Sequence, residues 1–319
     1  MRLFHWESSH GNFGDDLNLW LWDFLLPGVR EVHDEVLLVG VGTVLNTALL
    51  PHNVRKLVIG SGYGYDTPPD TSDPNEWDIH AVRGPKTAAK LGLDPKLGIV
   101  DPAVMVTEMP EFRNLPKKNK AIFIPHWESA LGGIWDSVCE NVGLTFVDPC
   151  GEAKSVIREI AQSELVVAES MHAAILADAF RVPWIAVSTS GNINSFKWND
   201  WAQSVGAVYK PRQIPVSTRA EAIFKGERFW GLKHEDRSHP QAEEPVRMRH
   251  APDGTVLTAG RKPLDFSAKN VAKRLLAAPS MLALWQASKA EPNLSPDGRL
   301  DECKERFAEA LEGVRRTYF

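Results

Sequence analysis

Short apolar runs recur along the first two thirds of the chain, and each ends in glycine or in a polar cluster. Glu35–Val41, Arg55–Ile59, Ile79–Val82, Gly98–Val104, Lys120–Ile124, Gly143–Val147, Val166–Ala168 and the run ending at Val187 read as strands, with Met1–Trp6 as a short first one. Runs that are apolar almost throughout, rather than alternating, belong to parallel sheets covered on both faces. Helical spacing separates them, at Leu19–Leu26, from Pro85 to Leu91 and over Ala153–Gln162, and again in the small-residue stretch after His172. Proline opens the second of these, where its missing N–H costs nothing. The alternation predicts an α/β chain: two Rossmann-like, doubly wound domains facing a cleft, with a helical C-terminal tail. The expected boundaries are 1–113, 114–215 and 216–319, with a Pro-, Lys- and Asn-rich linker around Glu108–Lys120. In the tail, Thr218–Phe229, Asn270–Gln286 and Leu300–Arg316 read as helices and His234–Pro263 as polar loop. Met281–Trp285 reads as a packing face.

Composition narrows the class. A chain of 319 residues exceeds most single cores and favours two domains. A formal net charge of −5 argues against a nucleic-acid footprint. The three cysteines, Cys139, Cys150 and Cys303, are far apart and odd in number, so neither a disulfide framework nor a metal-type spacing is expected. The first residues turn polar at once, without the apolar core of a signal peptide, and no run reaches the roughly 18 apolar residues of a membrane span. A cytoplasmic protein is expected, with peripheral contact at the inner face of a membrane left open. His5 and His10 lack accompanying ligands, so no metal site is expected. Eleven tryptophans give a weak hint of flat platforms for sugar faces.

The candidate chemistry gathers at the carboxyl ends of the apolar runs, where open parallel sheets bind ligands. The first candidate is the turn Gly11-Asn12-Phe13-Gly14-Asp15-Asp16-Leu17-Asn18; its acids serve either as helix caps or as the wall of a ligand loop. Gly40-Val41-Gly42 and Gly60-Ser61-Gly62 follow the next two runs. Neither is a complete dinucleotide fingerprint or a P-loop. Arg83 ends another run and suits either an anion or a structural ion pair. His126, after Ile124-Pro125, is a substrate contact or a capped turn. Glu169-Ser170-Met171-His172 precedes the small-residue helix, whose free N–H groups and partial positive charge suit an anion.

Taken in order, these residues, together with Val82-Arg83-Gly84-Pro85, Asp101-Pro102-Ala103 and Phe196-Lys197-Trp198-Asn199-Asp200-Trp201, resemble the polysaccharide pyruvyl transferases, particularly the bacterial exopolysaccharide branch. The likeness covers about two thirds of the chain. Met171 and Ala173 stand where Leu and Gly are expected. It implies a glycosyltransferase-B-like fold, phosphoenolpyruvate as co-substrate without a further cofactor, and a pair of sugar hydroxyls as acceptor. The product would be a pyruvate ketal on a saccharide or lipid-linked oligosaccharide, with phosphate released. The resemblance associates Arg83 and His172 with donor binding and proton transfer. His172 then becomes the acid that protonates the donor's methylene carbon, because imidazole titrates near working pH. Arg83 would hold a donor anion as a fork, assisted by Ser170, Lys197 and His126. Glu169 or Glu128 would deprotonate the sugar. Asn12, Gly14, Asp15, Asp16, Gly42, Ser61 and Gly62 would line the acceptor side. A nucleotide-sugar glycosyltransferase of the same architecture, or a non-catalytic saccharide-binding protein, are the competing readings.

Overall fold

The computed structural model describes residues 1–191, 193–234 and 275–319. Among them, four parallel strands form the first sheet, in the order β1 (Arg2–Leu3), β2 (Leu37–Val39), β3 (Lys56–Ile59) and β4 (Trp77–Ala81). The second sheet uses β5 (Ile122–Ile124), β6 (Thr145–Phe146), β7 (Val166–Ala168), β8 (Trp184–Ser188) and β9 (Arg212–Gln213), all parallel. Their spatial order is β6-β5-β7-β8-β9, so the winding reverses between β5 and β7.

The apolar runs explain both sheets. In β3, Leu57 and Ile59 face one apolar cluster and Val58 another. In β7, Val166 and Ala168 face one and Val167 the other. Successive side chains of a strand point to opposite faces, so only a run apolar at every position can serve two cores. The largest cluster joins the inner sides of both sheets, from Leu17 and Trp22 to Ile175, Trp198 and Phe307.

The helices are α1 (Leu21–Leu25), α2 (Pro85–Lys90), α3 (Trp127–Gly132), α4 (Trp135–Val142), α5 (Ala153–Ala161), α6 (Met171–Ala179), α7 (Ser195–Ser204), α8 (Arg219–Lys225), α9 (Ala278–Ala287) and α10 (Arg299–Tyr318). Every residue of α6 is buried. It lies between β7, α5 and the 3-10 helix Pro102–Glu108, and it has no polar face because it has no solvent side. Its alanines at 173, 174, 177 and 179 keep it thin enough for this slot.

Local expectations shift in three places. Gly98–Val104 is not a strand. Gly98 makes a single parallel bridge to Val82, then Asp101 caps the 3-10 helix by accepting from Ala103 N–H at 3.0 Å. Proline at 102 has no N–H to extend a ladder. The Leu19–Leu26 helix breaks into a 3-10 turn, Asp15–Leu19, and the short α1. The linker region also contributes core side chains, with Met109 and Phe112 buried. Of the expected Asn270–Gln286 helix, residues 270–274 lie outside the described residues, as do residues 235–263 of the expected loop.

The tail returns to both sheets. α9 packs on α4 of the second half, and Asn293 then exchanges two backbone hydrogen bonds with Trp184. α10 crosses back onto β4 of the first half. There Tyr318 Oη donates to Asp78 Oδ2 at 2.6 Å, Arg55 Nε donates to Tyr318 Oη at 3.2 Å, and His80 Nε2 lies 3.2 Å from Asp78 Oδ1. No helix among the described residues is long and apolar enough to cross a membrane.

The hydrogen bond with His80, then that from Tyr318, holds the Asp78 carboxyl down to about 2. A depressed carboxylate contributes stability that is complete above its unfolded value near 4 and lost as pH falls through the folded value. Wild type is therefore expected to lose more stability than Asp78→Asn between about pH 4 and 2. Urea unfolding at several pH values checks this, and parallel curves would contradict it.

Candidate active site

The turns at the carboxyl ends of the two sheets meet one another. Phe13 N–H donates to Pro149 O at 3.0 Å, beyond the end of β6. Asn194 donates to Gly64 O across the same junction. A reversal point in a parallel sheet leaves a crevice between diverging loops, and here it lies between the ends of β5 and β7, which carry His126 and Glu169.

Glu169 is buried and fully engaged. Its Oε2 accepts from His126 N–H at 2.9 Å and Ser129 Oγ at 2.5 Å; its Oε1 accepts from Thr189 N–H at 2.9 Å, Thr189 Oγ1 at 2.5 Å and Lys225 Nζ at 3.2 Å. Burial would raise its pKa, but Lys225 and then His126 outweigh that and hold the carboxyl at about 2. Glu169 thus ties together the ends of β5, β7 and β8. Its partner Lys225 comes from α8, outside the strands from which the site was read. Lys225 also lies 4.0 Å from Glu221, and this i, i+4 pair was the available sequence signal.

His172, in the first turn of α6, is almost buried. Among the described residues its Nε2 has no hydrogen-bond partner and faces Asp101 Oδ2, likewise unpartnered, at 3.8 Å. Its Nδ1 lies against Gly14, where an added Cβ would fall inside the imidazole. Burial, then Lys197 and Arg83, push His172 down to about 3, so the ring is neutral at pH 7. Burial pushes Asp101 up to about 6.

Lys197, on the first turn of α7, acts electrostatically on Asp15, His126 and His172 alike. Among the described residues its Nζ has no carboxylate within ion-pair distance and lies over the Tyr65 ring at 5.6 Å. Asp15 accepts from Asn12 Nδ2 at 2.5 Å, and burial pushes its carboxyl up to about 7. His126 Nδ1 lies 3.4 Å from Glu128 Oε2. Burial lowers the His126 pKa; Glu128 opposes this without reversing it. Asp16 is paired with His5 at 3.1 Å. Ser61 Oγ donates to Gly42 O at 3.1 Å, and Ser170 caps nothing with its side chain.

Arg83 takes the ion-pair alternative in this structure. It is wholly buried, with Nε donating to Asp200 Oδ2 at 3.1 Å, one terminal nitrogen to Thr43 Oγ1 at 2.6 Å and the other to Tyr63 O at 2.7 Å. Gly62 packs directly on the guanidinium, where no Cβ fits. Asp200 also accepts from Lys86 and Thr87 N–H at 2.9 Å and from Thr87 Oγ1 at 2.5 Å, so α7 caps α2 from the other half. Sequence reasoning missed this partner, which sits inside a helix 117 residues away.

Parallel sheets meeting through their carboxyl-end turns, with a neutral histidine, a lysine without a carboxylate partner among the described residues, and perturbed carboxylates at the junction, have the character of an α/β enzyme site. The model of the family described as polysaccharide pyruvyl transferase matches residues 12–191, which carry Asp15, Arg83, Asp101, His126, Glu169 and His172 but not Lys197, Asp200 or Lys225. The chain is also 64% identical over 319 residues to the succinoglycan biosynthesis protein ExoV of Rhizobium meliloti (strain 1021), covering 100% of both chains. The chain belongs to the polysaccharide pyruvyl transferase family and is a transferase. No solved structure matches it.

Two outcomes follow from this geometry. Asp200→Asn leaves a buried guanidinium without its counter-charge and is expected to lose about 3–5 kcal/mol of stability. The pair Arg83→Met with Asp200→Leu should recover much of that loss in urea titrations; a single variant within about 1 kcal/mol of wild type would contradict the assignment. Gly14→Ala should displace the imidazole and lower turnover by about 100-fold or more while the far-ultraviolet dichroism is unchanged.

Proposed function

We propose that this transferase moves the pyruvyl group of phosphoenolpyruvate onto two hydroxyls of a saccharide in exopolysaccharide biosynthesis, releasing phosphate. The observation that carries the reading is the junction itself: a lysine with no carboxylate partner among the described residues, beside a neutral, buried histidine at a helix N-terminus. Phosphoenolpyruvate brings a phosphate and a carboxylate, and Lys197 with the α6 N–H groups supplies the complementary field. The match to the succinoglycan biosynthesis protein supports the exopolysaccharide setting. Phosphoenolpyruvate is an intracellular metabolite, which favours the cytoplasmic side and an acceptor presented there, soluble or lipid-linked.

The resting pKa of His172, near 3, does not oppose an acid role. Its cause is burial together with two cations. A bound dianionic phosphate brings opposite charge into the same space and raises the affinity of the imidazole for a proton. Protonation of the methylene carbon makes the methyl group and leaves an oxocarbenium-like centre. One sugar hydroxyl adds to it; the second displaces phosphate with cleavage of the carbon–oxygen bond.

Glu128 is the better placed of the two proposed bases. The oxygens of Glu169 accept five hydrogen bonds, which leaves no vacancy for a substrate proton. Burial raises the Glu128 pKa, but the adjacent His126 outweighs it, so Glu128 is ionised at neutral pH. Arg83 supports the donor site indirectly: its pairing with Asp200 fixes α7 and hence Lys197. Asn12, Gly14 and Asp15 form the opposite wall, facing the acceptor.

Phosphate release from phosphoenolpyruvate with a panel of saccharide acceptors tests the reading. Lys197→Met is expected to raise the KM for phosphoenolpyruvate by about 10–100-fold, the worth of a charge-assisted hydrogen bond, with a smaller change in kcat. Phosphoenolpyruvate-independent turnover of sugar nucleotides would overturn the proposal.

A further inference from the structure

We propose that Asp101 is the proton partner of His172, so that the reacting acid is an Asp101–His172 dyad assembled from the two halves of the chain. This rests on the donor chemistry proposed above and adds a residue to it. Asp101 precedes the 3-10 helix Pro102–Glu108 of the first half, and His172 lies in α6 of the second. The helices that carry them pack together. Each residue brings one buried polar atom with no hydrogen-bond partner among the described residues, and these two atoms face each other at 3.8 Å. Buried polar atoms are nearly always satisfied, and an orphan needs a physical reason. Two orphans facing one another at slightly more than hydrogen-bond length have a common reason: a contact that tightens when the site fills.

The carboxylate is held for this purpose. Asp101 Oδ1 is fixed by Ala103 N–H at 3.0 Å, so Oδ2 is the oxygen left for the imidazole. Gly14 lies beside Nδ1 and carries no Cβ to cover it, so Nδ1 is the ring nitrogen left to the crevice. The charged groups around the dyad are Arg83, Lys197, Asp200 and Asp15. The two cations disfavour a charged imidazolium. Below the value near 6 to which Asp101 is raised, the dyad holds its proton as a neutral pair, with the carboxylic acid Oδ2–H directed at Nε2 and the ring proton on Nδ1, and a bound phosphate dianion extends that range upward.

The step balances without another reagent. Nδ1–H passes to the methylene carbon of the donor, whose alkene electron pair forms the new C–H bond. The Asp101 proton moves to Nε2, which leaves Asp101 as carboxylate and His172 as the neutral Nε2–H tautomer. The proton that Glu128 accepts when the first sugar hydroxyl adds to the carbon is returned to Nδ1 as Nε2–H passes back to Asp101, which restores the starting pair. That of the second hydroxyl leaves with phosphate. A lone histidine would have to become cationic beside Lys197 and Arg83 to do the same work.

The test uses nitrogen-15 shifts of His172 in full-length protein labelled at histidine, titrated in wild type and Asp101→Asn. Asparagine keeps the Oδ1 cap on Ala103. In wild type the ring is expected to change tautomer, from Nδ1–H to Nε2–H, with an apparent midpoint near pH 6, the value to which Asp101 is raised, and without gaining charge. The change should vanish in Asp101→Asn. Turnover of that variant should fall by about 100-fold or more with the phosphoenolpyruvate KM within about threefold, and adding His172→Gln should cost little beyond it, as for residues acting as one unit. An imidazole that simply becomes doubly protonated near pH 6.5 overturns the dyad, and so does a folded Asp101→Asn enzyme with wild-type turnover. The wild-type titration alone decides the matter if the variant does not fold. Absence of phosphoenolpyruvate turnover in wild type, with the tautomer change present, would instead remove the donor assignment and leave the pair.

Discussion

The buried ion pair between Arg83 and Asp200 is the constraint on which the site depends. It joins a residue just past β4 to the middle of α7, and both side chains are removed from water. Such a pair cannot lose one member cheaply, because the survivor is a charge in a low-dielectric interior. Asp200 extends the linkage by capping α2 through two backbone N–H groups. The approach of the two halves is possible only because Gly62 and Gly84 present no Cβ where Arg83 and Asp200 lie. Lys197 precedes Asp200 by three residues on α7, so pinning Asp200 also sets where Lys197 points.

A second buried network organises the other wall. Glu169 gathers the ends of β5, β7 and β8, and Lys225 neutralises it from α8. One carboxylate thereby fixes the turns that carry His126, His172 and Thr189. The electrostatic result is asymmetric. Arg83 and Lys225 are compensated by their carboxylates, while Lys197 has no such partner among the described residues, and the two histidines are held neutral by burial and by cations. An anionic substrate is the natural complement of such a field.

The C-terminal helices give the halves a covalent and packed connection. α9 covers the second sheet and α10 returns to the first, with Tyr318, Arg55, Asp78 and His80 forming the anchorage. The apolar cluster shared by the sheets includes Leu300, Phe307, Leu311 and Val314 of α10. The junction between the halves is therefore built from described segments near both ends of the chain as well as from its middle, including helices that carry none of its reactive groups.

Read alone, the sequence determined the parallel α/β character, since runs such as Leu37–Val39 and Val166–Ala168 are apolar at each position and fit only strands buried on both faces. It also determined where chemistry collects, because glycines and polar residues punctuate the carboxyl ends of those runs, and the ordered motifs pointed to the family. It pointed to Arg83, His172 and Lys197 without deciding what each does. Those decisions are matters of distance and burial between residues remote in sequence. Arg83 had two open readings until Asp200, 117 residues on, was found beside it. Glu169 had a catalytic reading before Lys225 and the segments after β5 and β8 were seen to fill its oxygens. Asp101 was only a strand end until folding set its free oxygen opposite His172. Periodicity is a local property and is legible along a chain; pairing of buried charges is a property of the packed interior, and only the tertiary structure settles it.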